Sequence, residues 1–195
     1  MLLANVSCLQ ISRVKNRDKI SILAIPGSLR ANSSNSAVIA TAATLVAGEV
    51  DFIIYEGLGS LPHFDGRDDP APEVIEFRKL LKEADGVFIC SPEYAFGVPG
   101  SLKNALDWTV SSGEFVNKPV ALITAATGGD KAHASLKLTL SVLSARVLEE
   151  STLLISYIRA KINESGEVTD NETIQAIKNI MDTFIRDIDQ ELKKS

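Results

Sequence analysis

Three largely apolar runs limit what this chain can fold into: Ile20-Ser-Ile-Leu-Ala-Ile25, Val87-Phe-Ile-Cys90 and Lys118-Pro-Val-Ala-Leu-Ile-Thr-Ala-Ala126. A strand with one wet face alternates apolar and polar residues. Near-continuous runs of this length fit strands covered on both faces, as in a parallel sheet between two helical layers. Each run empties into a loop that breaks regular structure, and helical spacing follows it. Val38, Ile39, Ala42, Leu45 and Val46 follow the first, and Leu102, Ala105, Leu106 and Thr109 follow the second. Leu136, Leu140, Leu143 and Val147 follow the third, although Leu136, Leu138, Leu140 and Val142 also alternate there as a strand would.

Two further strands are expected at Val50–Tyr55 and Ser151–Ile158, with a long loop over Glu56–Ala71. Pro72 opens a helix in the favoured first-turn position, with Val74, Phe77, Leu81 and Ala84 as its buried stripe. Thr169-Asp-Asn-Glu172 reads as a capping box before a last helix. That helix carries Ile174, Ile177, Met181, Phe184, Ile188 and Leu192 on one stripe, expected to cover its own sheet. Strand and helix thus alternate five times, which predicts a parallel sheet with right-handed crossovers. Residues 19–195 read as one α/β domain. Residues 1–18 read as a disordered leader, because Asn5, Ser7 and Gln10 interrupt the apolar stretch and no basic segment precedes it.

The loop after the first strand, Gly27-Ser-Leu-Arg-Ala-Asn-Ser-Ser-Asn-Ser36, is dense in hydroxyl and amide groups and runs into a helix. A helix N-terminus presents free N–H groups and the positive end of the helix dipole, so it suits an anion. Ser28, Ser33, Ser34, Asn35 and Ser36 add neutral donors, and Arg30 adds a charged one. No Gly-Lys-Ser/Thr follows, so the loop is not a Walker A loop, and Gly-x-Gly-x-x-Gly is absent from it. On residues alone, a monophosphate site and a Ser/Asn-rich helix cap with no ligand fit equally well.

Other classes fit poorly. The formal net charge of −5 argues against nucleic acid as a partner. No run of about 18 apolar residues could span a membrane. Cys8 and Cys90 make no disulfide framework, and His63 and His133 have no ligand-spaced neighbours that suggest a metal site. A reducing, cytoplasmic location is expected. No Cys–His or Ser–His–Asp constellation is evident, so no catalytic side chain is assigned.

The stretch Cys90–Trp108 carries the most specific signal. Pro92, Gly97, Pro99 and Gly100 hold a stiff loop that displays Glu93, Tyr94 and Phe96 at a strand end. In open α/β sheets, ligands sit at the carboxyl ends of the strands, where strand order reverses. Ser91-Pro-Glu-Tyr94, Val98-Pro-Gly100 and Leu102-Lys-Asn-Ala-Leu-Asp-Trp108 together resemble the signature of the NADPH-dependent FMN reductases, whose members include quinone-, azo- and chromate-reductase-like enzymes. Gly27-Ser-Leu-Arg30, Ser33 and Asn35 resemble the phosphate loop of that family. Tyr55-Glu-Gly-Leu58 and Leu61-Pro-His-Phe-Asp65 match it more loosely. The resemblance runs from about Ile20 to Val147.

The resemblance implies a flavodoxin-like fold with strand order 2-1-3-4-5. It also implies FMN as cofactor and NADPH or NADH as reductant. Hydride would pass from NAD(P)H through FMN to a small acceptor such as a quinone, an azo compound or free flavin, in a ping-pong cycle. Ser28, Arg30, Ser33, Ser34, Asn35 and Ser36 would then hold the phosphate. Pro92, Glu93 and Tyr94 would line the ring, with Tyr94 stacking on it and Glu93 in a structural rather than a catalytic role. Gly128 and Gly129, in a glycine loop before the fourth helix, would bring backbone N–H groups to the ring. Homodimers or homotetramers are implied as well. Many family members carry Asn directly after Pro-Glu-Tyr, and Ala95 stands there in this chain, followed by Phe96. The alternatives are an electron-transfer flavodoxin without direct NAD(P)H activity and a binding protein for some other phosphate.

Overall fold

A computed structural model of the protein describes residues 19–30 and 32–194. The proposed leader 1–18, with Cys8, lies outside the described residues. Five strands form one parallel sheet: β1 (Ile20–Pro26), β2 (Val50–Ile54), β3 (Gly86–Ser91), β4 (Val120–Ala126) and β5 (Thr152–Ser156). Their spatial order is β2-β1-β3-β4-β5, as the sequence predicts. The chain steps one way from β1 to β2 and the other way from β1 to β3. The carboxyl ends of β1 and β3 therefore flank the switch point, where connections diverge and leave a crevice.

Residues along the inner strands alternate between two cores. Ile22 and Ala24 of β1, Phe88 and Cys90 of β3, and Ala121, Ile123 and Ala125 of β4 face α1 (Ser34–Leu45) and α5 (Asn171–Leu192). Leu23, Ile25, Val87, Ile89, Val120 and Leu122 face α2 (Pro72–Glu83), α3 (Gly100–Asp107) and α4 (Asp130–Val142). Both faces are buried, which is why these strands lack alternation in the sequence. The α5 stripe does cover its own sheet: Ile177, Met181, Phe184 and Ile188 are fully buried, whereas Leu192 is exposed at the helix end. The approach is close at Gly86, where a Cβ would lie 2.5 Å from Ile188 and 2.7 Å from Phe184.

Several local expectations shift. Residues 130–142 are helical, and the competing alternation arises because Leu138 and Val142 lie on the exposed side of α4. The cap of α5 is Asp170 rather than Thr169, with its carboxylate accepting from the Thr173 N–H at 2.9 Å. The fifth strand is shorter than expected, because residues Glu149–Ser151 and Ile158–Lys161 form 3-10 turns on either side of it.

The long loop after β2 starts with a 3-10 turn at Gly57–Ser60 and is then buckled to α3. Asn104 and Trp108, one helical turn apart, both donate to the Pro62 carbonyl, at 2.9 and 2.8 Å. The Asn104 side-chain oxygen also accepts from the Phe64 N–H at 2.8 Å, and the Phe64 ring meets Trp108 edge-on. The Leu102–Trp108 block thus holds a loop in place. His63, within that loop, is exposed.

Candidate cofactor site

A cleft of about 340 Å³ opens at the carboxyl edge of the sheet. One wall is the β1–α1 loop with Arg30, Asn32, Ser33, Ser34 and Asn35. The opposite wall is Pro92, Glu93 and Tyr94, after β3. Ala125, Ala126 and Thr127 at the end of β4, with Ile158 and Arg159 beyond β5, complete it.

The β1–α1 wall has the character of an anion site. Ser33 caps α1, its hydroxyl accepting from the Ser36 N–H at 3.1 Å. The N–H groups of Ser34 and Asn35, in the same first turn, have no partner among the described residues. They point out of the helix start, where the dipole is positive. Asn35 itself is buried, and its amide is engaged by the sheet. It donates to the Ala125 carbonyl at 3.3 Å and accepts from the Cys90 thiol at 3.2 Å. This pins the start of α1 over β3 and β4.

The β3 wall is held from two sides. The Tyr94 hydroxyl lies 3.1 Å from that of Ser28, which also accepts from the Arg30 N–H at 3.2 Å. The Glu93 carboxylate accepts from the N–H groups of Gly129 (3.3 Å) and Ala132 (2.9 Å), capping the start of α4. Tyr94 and Gly97 exchange both backbone hydrogen bonds, at 3.0 and 2.9 Å, so Ala95 and Phe96 form a two-residue turn. Their φ angles are +49° and +58°, the left-handed values that such a turn requires and that Asn and Gly adopt most readily. The Phe96 side chain is 80 % exposed at the tip.

Of the residues expected at the site, Arg30, Ser33, Ser34, Asn35, Pro92, Glu93 and Tyr94 are brought together on the cleft. Four others are placed differently. Ser28 stands behind Tyr94 and orients it. Ser36 is exposed and paired with Ser33, because the third residue of a capped helix turns its N–H back to the cap. Gly129 does not offer a free N–H to a ring, since Glu93 takes it, and the Gly128 carbonyl accepts from Ser156 at 3.2 Å. Neither glycine lines the cleft. Arg159 has no signal in the sequence: it lies on a one-turn helix beyond the last strand, and only the tertiary fold brings it to the cleft. His133 neither faces the cleft nor stands free in solvent. It is half-buried, with Nδ1 2.9 Å from the Thr124 hydroxyl, and burial lowers its pKa, with Lys137 adding to the effect. Cys90 is fully buried, and burial pushes its thiol pKa far up, so it is no nucleophile.

The residues present fit FMN. One end of the cleft offers N–H groups, hydroxyls and guanidinium to a phosphate. The other end offers an aromatic ring held by its own hydroxyl. The one carboxylate on the wall, Glu93, is already engaged by α4.

The strand order and the position of this cleft define a flavodoxin-like α/β protein with a cleft at the switch point of its sheet. Comparison with known proteins narrows this further. Residues 20–160 match the family model for NADPH-dependent FMN reductase. The chain belongs to the NADPH-dependent FMN reductase family. It is 31% identical over 170 residues to an NAD(P)H-dependent FMN reductase of Pseudomonas aeruginosa, covering 83% of this chain and 91% of the relative. It is 28% identical over 177 residues to a quinone reductase of Escherichia coli, covering 86% of this chain and 94% of the relative. Among solved structures, it resembles FerB, a flavoenzyme NAD(P)H:(acceptor) oxidoreductase from Paracoccus denitrificans. The TM-score is 0.77 at 27% identity, over 88% of this chain and 98% of the other.

Proposed function

We propose that the protein is an FMN-dependent NAD(P)H oxidoreductase that passes reducing equivalents to a small acceptor such as a quinone, an azo compound or free flavin. The observation that carries this reading is the pairing, in one cleft, of an anion-binding helix start with the aromatic wall at Tyr94. Family membership adds the cofactor and the reductant. FMN, when bound, supplies the redox chemistry, and the protein supplies position and electrostatics.

The chain's own residues divide that work. Arg30, the free N–H groups of Ser34 and Asn35 and the Ser34 hydroxyl hold the phosphate. Tyr94, braced by Ser28, orients the ring. Glu93 fixes the distance between the β3 loop and α4 and takes no part in proton transfer. Phe96, exposed at the tip of the turn that follows Tyr94, gives a flat acceptor an apolar surface. The reading includes a cytoplasmic location and a homo-oligomer. Exposed Leu138 and Val142, neighbours on the outer face of α4, supply apolar surface for a second copy. Among the described residues, no helix is long and apolar enough to cross a membrane.

The test is a visible spectrum of the full chain after FMN is added and the excess removed, followed by NADPH under anaerobic conditions. Retained yellow colour that bleaches within seconds is expected. Retained colour that NADPH leaves unchanged would favour an electron-transfer flavodoxin, and no retained colour together with no turnover of free FMN would overturn the reading.

A further inference from the structure

We propose that Arg159 is the second arm of a two-arginine clamp on a dianionic phosphate monoester, the 5′-phosphate of FMN, opposite Arg30. The inference rests on the FMN reading above and adds a binding residue to it.

Six arginines lie among the described residues. Four bond to protein acceptors: Arg67 to Asp65, Arg78 to the Trp108 carbonyl, Arg146 to Asp187 and Glu191, and Arg186 to Thr183 and the Asp182 carbonyl. The guanidinium groups of Arg30 and Arg159 have no partner among the described residues, and these two line the same cleft. One comes from the loop after the first strand and the other from the turn after the last strand in the chain, 129 residues apart, so no local sequence effect accounts for their sharing a cleft.

The turn that carries Arg159 is rigid. Ile158 is buried in the same core as Val38 and Ile39 of α1, and the next residue, Arg159, lines the cleft together with Ser33, Ser34 and Asn35 at the start of that helix. The turn starts from Tyr157, held at φ +54° with its N–H on the Thr127 carbonyl at 3.2 Å. It ends at Lys161, whose ammonium binds Asp170 (3.1 Å) and Thr173 (2.9 Å). Of the two cations on this turn, Lys161 is consumed by the α5 cap and Arg159 is left for the cleft.

Charge balance favours the clamp. A phosphate monoester carries about −1.5 to −2 charges at pH 7. The α1 N-terminus offers roughly +0.5 and Arg30 one full charge. Arg159 brings the total to about +2.5, enough to match the dianion. Guanidinium is the group suited to such pairing, because its fork can meet two phosphate oxygens at once. The 2′-phosphate of NADPH has the same chemistry, and the test separates the two sources.

The experiment measures the affinity of the flavin-free full chain for FMN and for riboflavin by flavin fluorescence, in the wild type, Arg159→Ala and Arg159→Lys. It is paired with KM for NADPH and for NADH. Arg159→Ala is expected to weaken FMN binding roughly 10- to 100-fold, the effect of losing a charge-assisted contact. Riboflavin binding and the NADPH-to-NADH ratio of KM should stay unchanged, and Lys should restore part of the loss. Unchanged FMN affinity, or equal weakening of both flavins, would overturn the clamp. A rise confined to KM for NADPH would move Arg159 to the 2′-phosphate and overturn the FMN assignment. A wild-type chain that binds neither flavin would defeat the functional reading itself.

Discussion

The hydroxyl of Ser28 lies 3.1 Å from that of Tyr94, joining two loops that are 66 residues apart in the chain. Ser28 is buried and Tyr94 is half-exposed, so the pair sets the Tyr94 ring from behind and leaves a face toward the cleft. Tyr94→Phe and Ser28→Ala should each cost about 0.5–1.5 kcal/mol in urea unfolding, the net worth of one such hydrogen bond. The double variant should cost less than the sum of the two, because both remove one contact. Full additivity would show that the contact does not form in solution. Tyr94→Phe should keep most of the affinity for FMN, whereas Tyr94→Ala should lose it.

Arg30→Ala should weaken FMN binding by about 1–3 kcal/mol, the range for hydrogen bonds to charged groups. Its effect on riboflavin should be small. Isothermal titration with the two flavins checks this, and equal losses for both would remove Arg30 from the phosphate.

Glu93 caps α4 through two N–H groups. Glu93→Ala leaves both unbonded and should destabilise the fold by about 1–3 kcal/mol. Glu93→Gln keeps an acceptor and loses the favourable charge at the helix start, so its cost should be smaller, about 0.3–1 kcal/mol. FMN-loaded Glu93→Gln should retain its NADPH oxidation rate. A fall of a hundredfold or more in that rate would instead give the carboxylate a chemical role.

Ala95→Gly should raise stability. A left-handed conformation costs an L-residue roughly 1–2 kcal/mol, and glycine escapes it while losing about 0.5–1 kcal/mol to unfolded-state entropy. The net gain expected in thermal unfolding is on the order of 0.5 kcal/mol, and a loss would show that the methyl group of Ala95 makes contacts that offset the strain.

His133 makes stability depend on pH. Its pKa in the fold is below 6.5, chiefly through burial, so the unfolded chain takes up a proton more readily than the folded one. The stability contributed by the neutral ring is therefore fully present above pH 6.5 and declines as pH falls through that value toward the folded pKa. Urea midpoints compared at pH 7.5 and pH 5 should show a smaller drop in His133→Asn than in the wild type. Equal drops would assign the acid sensitivity to other groups.

Much of the architecture was legible because both faces of the sheet are covered. That leaves apolar runs such as Ile22–Ile25 and Val87–Cys90 with no competing interpretation. The helix at 130–142 was harder, since exposed Leu138 and Val142 imitate a strand. Arg30, Ser33, Ser34 and Tyr94, expected from loop chemistry and family resemblance, line the cleft. Ser28 and Gly129 bond Tyr94 and Glu93 in this structure, because residue type shows what a group can bond and only tertiary structure shows what already bonds it. Arg159 had no local signal. An arginine on a one-turn helix looks like any solvated cation until the fold sets it on the same cleft as Arg30.

The cleft takes its walls from the ends of β1, β3 and β4 and from the turn after β5, so it exists only when the whole sheet has been aligned. Parallel pairing of distant segments is slow to assemble, and no partly folded chain can present the complete site. A flavin that binds here recognises only the finished molecule and draws the folding equilibrium toward it by mass action, by about 2.7 kcal/mol at a hundredfold excess over Kd. The lifetime of this protein in a cell should therefore follow the supply of FMN. In flavin-starved cells it should be cleared by proteolysis before it can stand idle.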